Sequence, residues 1–227
     1  MQPQDLEKKT AAVASLAYVQ DGMRLGLGSG STSAAMVHAL GEKVRDHGLR
    51  IECAVPTSAE TRAIAESYGI PIKSLDDVEG LDLTIDGADE ADPKLALIKG
   101  GGGALTHEKI VASASAKFVV IVDASKLVDK LGAFRVPVEV LHFAARPVKT
   151  KIEALGGKVT VREKGGATFV TEEGNLIYDC DFGLFEDAHA IAEKLAHLPG
   201  LVEHGLFVDM ADVLIVGRGE STEVLTR

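Results

Sequence analysis

Four short apolar runs, Met23 to Leu27, Ile51 to Val55, Leu81 to Asp86 and Lys117 to Val122, each end in a cluster of Gly, Ser, Thr or Asp. Runs this short and this continuous read as strands buried on both faces, which belong to a parallel sheet covered by helices. Helical periods over Ala34 to Arg45, Ser58 to Tyr68 and about Leu105 to Ala116 fall between them, so strand and helix alternate. Open sheets of this kind bind ligands at the carboxyl edge of their strands, where each run delivers its polar cluster. The expected class is therefore α/β, a Rossmann-like parallel sheet domain.

The third run carries the most chemistry. Leu81 to Lys109 reads L-D-L-T-I-D-G-A-D-E-A-D-P-K-L-A-L-I-K-G-G-G-G-A-L-T-H-E-K. A strand ends in Asp86-Gly87-Ala88-Asp89, then Lys99 leads into four glycines, Gly100 to Gly103, and Glu108 enters a helix. Singly these residues have ordinary explanations: Asp-Gly makes turns, and an acid suits the first turn of a helix. Four consecutive glycines do not, because ordering them costs more backbone entropy than any other residue. A bare backbone approaching a ligand, its N–H groups free to donate, is the expected use. Two aspartates, a lysine, exposed amides and a glutamate supply what proton transfer on an anionic substrate requires.

The first run ends in Gly26-Leu27-Gly28-Ser29-Gly30-Ser31-Thr32-Ser33 before a helix, an arrangement that aims N–H groups and a positive helix end at an anion. Its spacing is G-x-G-x-G, neither the dinucleotide fingerprint nor the Walker pattern, and the second strand ends in Pro56-Thr57-Ser58 with no acid for a ribose hydroxyl. A small phosphate ester gripped by Ser31, Thr32 and nearby amides fits better than NAD or ATP. The alternative is a tight turn with an N-capping Ser.

The pattern changes after Leu131-Gly132. Val136 to Val140 contains Pro and is expected at a sheet edge or strand start. Lys158 to Arg162, Ala167 to Thr171 and Leu176 to Asp179 read as short strands, Val148 to Leu155 and Ala188 to His197 as helices, and Leu201 to Phe207 as one strand. A smaller α+β insert with antiparallel pairing follows. The apolar Ala211 to Gly217 is expected back in the first sheet. The domains are thus residues 1–131 with 207–227, and 132–206. Ile70 to Ile72 reads as an edge-like strand, and Asp5 to Gln20 as an amphipathic helix.

A net charge of −10 without a basic block excludes nucleic acid as a partner, and no apolar span approaches the length a membrane helix needs. Acids near the N-terminus argue against a cleavable leader. Cys53 and Cys180, the only cysteines, read as buried free thiols in a reducing compartment, so a cytoplasmic location is expected. The seven histidines form no metal-binding pair at helical or turn spacing, and Asp86, Asp89 and Asp92 are not spaced as a calcium loop. No metal or other cofactor is expected. His107 beside Glu108 points about 100° away on a helix and is a neighbour rather than a partner.

In order along the chain, G-x-G-S-G-S-T, D-G-A-D-E, K-G-G-G-G-A-L-T-x-E-K, D-A-S-K, P-V-E-V, G-L-F and A-D-V resemble ribose-5-phosphate isomerase, type A. The resemblance spans about Lys8 to Gly217. It implies metal-independent interconversion of ribose 5-phosphate and ribulose 5-phosphate in the pentose phosphate pathway. By it Glu108 is the base, working through a cis-enediolate. Asp86, Asp89 and Lys99 would assist ring opening, hold hydroxyls and stabilise the oxyanion. Ser31, Thr32, Lys126 and Lys8 would hold the phosphate, and Ser29, Gly30, Gly87, Ala88, Gly100, Gly101 and Gly102 would line the substrate. A homodimer or homotetramer is implied, with edge strands such as Val136 to Val140 in the interface. Two other classes share the general fold: a sugar-phosphate-sensing module, which could dispense with Glu108, and an amino-sugar-phosphate deaminase, which fits K-G-G-G-G less well.

Overall fold

A computed structural model describes residues 2–227, which divide into two compact units. The first comprises the stretch ending at Ala88, then His107–Leu127 and Met210–Arg227; the second comprises Asp89–Thr106 and Val128–Asp209.

The first unit is built on six strands: β1 (Arg24–Leu27), β2 (Cys53–Pro56), β3 (Leu83–Gly87), β6 (Phe118–Asp123), β14 (Val213–Arg218) and β15 (Ser221–Thr226), in the order β15-β14-β6-β3-β1-β2. All pair in parallel except β15, which returns antiparallel along β14. Every residue of β6 is buried, as strands covered on both faces require. Helices α1 (Pro3–Ser15) and α2 (Gly30–His47) turn Ala11, Ala12, Met36, Val37 and Leu40 onto Leu25, Leu27, Ile85, Val119, Ile121 and Ile215. Each large aliphatic side chain buried this way stabilises by about 1.5–3 kcal/mol before entropy is counted. Pro3 suits the start of α1, where its missing N–H is not needed. Gly217 lets α1 lie close: a Cβ there would fall 2.0 Å from the Glu7 carbonyl oxygen. Helix α3 (Ala59–Ser67) is capped by Ser58, whose side chain accepts from the Thr61 N–H.

The second unit holds a four-stranded antiparallel sheet of β7 (Val136–Val140), β8 (Lys158–Val161), β11 (Leu176–Asp181) and β12 (Leu201–His204), in the order β12-β7-β11-β8. Helices α5 (Ala145–Ala154) and α6 (Ala188–Ala196) bury Val148, Ile152 and Leu195 with Val136, Val138, Val140 and Tyr178. A three-stranded sheet joins β4 (Glu90–Ala91), β5 (Leu97–Ile98) and β13 (Leu206–Phe207), and β9 (Glu163–Lys164) with β10 (Ala167–Thr168) forms a hairpin.

Several expectations are corrected. Pro137 does not mark an edge: β7 is interior, between β12 and β11. Direct pairing with β12 runs only from Val140 to Val138, so the missing N–H of Pro137 falls just beyond that ladder, where its carbonyl accepts from Gly205. Val136 to Val140 therefore offers no free edge to a second subunit. The expected strand Leu201 to Phe207 breaks at Gly205, where a Cβ would fall 2.2 Å from the Lys99 carbonyl oxygen, and its halves join different sheets. Ile72 makes only an isolated bridge to Ala54. Helix α2 starts at Gly30 rather than Ala34, because the Ser and Thr that read as turn make a good first helical turn. Residues 89–106 group with the second unit, since β4 and β5 pair with β13.

Cys53 and Cys180 are free and buried, and burial pushes the Cys180 thiol up to about 12. No helix among the described residues is long and apolar enough to cross a membrane.

Candidate active site

In the first unit the site is assembled at the carboxyl ends of β1, β3 and β6 and the start of helix α4 (Leu105–Ser113). Asp86, the penultimate residue of β3, is 1% exposed, and its Oδ1 accepts from the Ser29 N–H (3.0 Å), the Ser33 hydroxyl (2.9 Å) and the Gly87 N–H (2.7 Å). Gly28 makes this possible, since a Cβ there would fall 1.9 Å from the same oxygen. Glu108 is 4% exposed, and the Ser29 hydroxyl donates to its Oε1 at 2.5 Å. Ser29 thus holds both acids at once, by its main chain and by its side chain. Ser33 was not singled out in the sequence. Its spacing from Gly30, one helical turn, is the signal that would have placed it on the face that meets Asp86.

Beside the two acids lie the groups expected to take an anion. Ser31 sits in the first turn of α2, where unsatisfied N–H groups and the helix dipole favour negative charge. The Lys8 ammonium on α1 donates to the Ser31 hydroxyl at 3.2 Å. Thr32 follows in the same turn, partly buried. Lys126 closes a 3₁₀ turn, Ala124–Lys126, after β6, and Gln4 of α1 reaches Ser125 there at 3.4 Å. Ser125 donates in turn to Asp123, a buried carboxylate absent from the expected set.

The second unit contains Asp89, Lys99 and the glycine run. Its geometry corrects the expectation that packing leaves those glycines unexplained. Gly100 and Gly103 have φ of +98° and +94°, which only Gly adopts freely. A Cβ at Gly101 would fall 2.5 Å from Asp89 Oδ1, and one at Gly103 would fall 2.4 Å from the Phe169 ring. Only at Gly102 would a Cβ meet nothing. The amides are partly engaged as well: Gly101 donates to Asp89 Oδ2 at 2.7 Å and Gly103 to the Gly100 carbonyl at 3.0 Å. Lys99 is 2% exposed, with its ammonium 5.4 Å from the centre of the Phe207 ring, a cation–π contact that holds a buried charge.

Two further residues of this unit escaped the sequence reading. Glu139, buried in β7, accepts from Thr106 at the start of α4, from Thr171 (2.8 Å) and from Asn175 (2.9 Å). A carboxylate inside an otherwise apolar strand was the available signal. Arg162 pairs with Asp179 and donates to the carbonyls of Gly100 and Gly101. Among the described residues no group of three or more His, Cys, Asp or Glu side chains is arranged to hold a metal ion.

A parallel sheet covered by helices, with two buried acids at its carboxyl edge, places the chain in the Rossmann-like α/β class, and its relatives are isomerases of a phosphorylated sugar. The comparisons with known proteins narrow this. The family model described as ribose 5-phosphate isomerase A (phosphoriboisomerase A) matches residues 53–221. A ribose-5-phosphate isomerase A of Jannaschia sp. (strain CCS1) is 49% identical, the match covering 98% of this chain and 87% of the relative. A D-ribose-5-phosphate isomerase solved in complex with phospho-erythronic acid is 39% identical with a TM-score of 0.95, covering 99% of both chains. Ribose 5-phosphate isomerase A of Methanocaldococcus jannaschii is also 39% identical, with a TM-score of 0.92 over 97% of this chain and 98% of that one. The chain belongs to the ribose-5-phosphate isomerase A family. That membership sets aside the sensing-module and deaminase readings.

Proposed function

We propose that Glu108 is the base that carries a proton between C1 and C2 of the sugar, through a cis-enediolate. The reaction is the family's, an intramolecular oxidoreduction that interconverts D-ribose 5-phosphate and D-ribulose 5-phosphate. Ser29 carries this reading: it donates its hydroxyl to Glu108 and its N–H to Asp86, so that one residue orients both acids. A base needs to lie within hydrogen-bond reach of the proton it takes, in a fixed direction, and burial with the Ser29 hydroxyl on Oε1 supports that. Asp86 and Asp89 assist ring opening and hold hydroxyls. The Lys99 ammonium stabilises the developing enediolate oxygen, a contribution of about 3–4 kcal/mol for one well-placed donor.

Lys8, Ser31, Thr32 and Lys126 hold the phosphate, while Ser29, Gly30, Gly87, Ala88, Gly100, Gly101 and Gly102 line the sugar. The phospho-erythronic acid bound by the solved relative has a planar carboxylate at one end and a phosphate at the other, matching an enediolate and a phosphate grip. The assembly is a homodimer or homotetramer built through the second unit, whose exposed Leu141, Phe143 and Leu184 support that reading. Analytical ultracentrifugation checks it. Two free buried thiols fit a cytoplasmic location.

The mechanism is tested by following ribulose 5-phosphate formation under excess chelator, in wild type and Glu108→Gln. A fall of about 10²–10⁴-fold in kcat with the fold retained is expected. Near-full activity in the variant would show that the proton is moved by another group.

A further inference from the structure

Arg162 stands just past the end of β8, and each of its three guanidinium nitrogens donates. Nε donates to Asp179 Oδ2 at 3.0 Å, Nη2 to Asp179 Oδ1, and Nη1 to the carbonyls of Gly100 (2.8 Å) and Gly101 (3.1 Å). The side chains of the pair are only 12% and 21% exposed. A planar fork can bridge a carboxylate and two carbonyls in this way; an ammonium cannot.

The consequence follows from the trans peptide, in which C=O and N–H point in opposite directions. Holding the Gly100 carbonyl turns the Gly101 N–H away from Arg162, and Asp89 accepts it at 2.7 Å. Holding the Gly101 carbonyl turns the Gly102 N–H away likewise. Gly102 is exposed, and that N–H has no hydrogen-bond acceptor among the described residues. One arginine therefore fixes two consecutive peptide planes directly after Lys99.

We propose that Arg162 is a positioning residue for the isomerisation: locked on Asp179, it sets the Gly100–Gly102 backbone so that the Gly102 N–H is the loop's donor to a substrate oxygen, beside the Lys99 ammonium. The proposal rests on the assignment of Lys99 to the enediolate oxygen.

The test measures steady-state isomerisation of ribose 5-phosphate and thermal unfolding for wild type, Arg162→Ala, Arg162→Lys and Lys99→Met. Arg162→Ala is expected to lower kcat by about tenfold or more, with KM within about twofold, because the donor is misplaced and the phosphate grip is untouched. Arg162→Lys keeps the charge but loses the fork, so its kcat stays well below wild type. Added guanidinium ion at non-denaturing concentration restores part of the Arg162→Ala rate and none of the Lys99→Met rate. Wild-type kcat in folded Arg162→Ala or Arg162→Lys overturns the proposal. So does a rise in KM alone, which would make Arg162 a substrate-binding group. If Arg162→Ala does not fold, Arg162→Lys decides by the same kcat criterion. Lys99→Met at wild-type kcat overturns the Lys99 assignment itself, whereas an impaired Lys99→Met beside a fully active Arg162→Ala overturns only the positioning role.

Discussion

In the turn after β1, Gly28 stands where a Cβ would fall 1.9 Å from Asp86 Oδ1; in the turn after β5, Gly101 stands where one would fall 2.5 Å from Asp89 Oδ1. Each aspartate then accepts a main-chain N–H of the turn it overlies, from Ser29 at 3.0 Å and from Gly101 at 2.7 Å. The two acids of D-G-A-D thus each anchor one glycine-rich turn, and in both the glycine makes room for a carboxylate. The supports differ. The first turn is tied to a buried acid with three donors and runs straight into α2. The second is exposed at Gly101 and Gly102 and is held from outside by Arg162. A turn rooted in a sheet interior tolerates no change at its anchor. A turn held by a long-range clamp can lose its shape while the sheet beneath it survives.

Asp86→Ala should therefore have the largest effect on stability. Removing the buried charged acceptor of the Ser29 N–H and the Ser33 hydroxyl costs about 3 kcal/mol or more, read as a fall in the urea midpoint. Asp89→Ala should cost less than half as much; equal losses would break the contrast. Next comes Gly28→Ala, which forces a methyl onto Asp86 and should destabilise by about 1–3 kcal/mol. That is about 2–4 °C of Tm per kcal/mol for a chain of this size. Gly102→Ala, with open space at its Cβ and no positive φ, should stay within about 0.5 kcal/mol of wild type.

A further small effect is electrostatic. The Arg24 guanidinium, hydrogen-bonded to Asp82, holds that carboxyl below the usual carboxylate range, linking β1 to the approach of β3. A folded-state pKa below the unfolded one gives stability that is present above about pH 3.9 and lost as pH falls through the folded value. Asp82→Asn should thus melt earlier than wild type at pH 7, and added salt should narrow the gap. The gap should close only in acid; a gap that persisted there would assign the loss to packing instead.

Much of the first unit was legible because its strands are bounded apolar runs. Phe118–Asp123 and Val213–Arg218 could hardly be anything else, and their polar ends place Asp123 and Gly217 on one edge. What escaped depended on partners distant in sequence. Pro137 reads as an edge residue until β12, which stops pairing at Val138, is seen beside it. Ser221–Thr226 is polar at four of its six positions and mostly exposed, with no apolar run to announce β15. Among the candidate site residues, Glu108, Asp86, Asp89 and Lys99 stood out by type and neighbourhood. Ser33 and Arg162 did not, because their meaning lies in an acid 53 residues away and a carbonyl 62 residues away. The glycine run was over-read: its second and fourth members answer to Asp89 and Phe169.

The strand order also sets a timetable for synthesis. β6 lies between β3 and β14, and β14 begins at Val213, separated from β6 in sequence by the strands of the second unit. A nascent chain leaving the ribosome can pair β2, β1, β3 and β6, but it presents F-V-V-I-V-D along an uncovered edge until Val213–Arg218 has emerged. An apolar edge left open in this way is a template for pairing with another chain. The strand β14 thus protects the newborn protein from its neighbours, and cutting the chain before Val213 should be felt first as aggregation during expression.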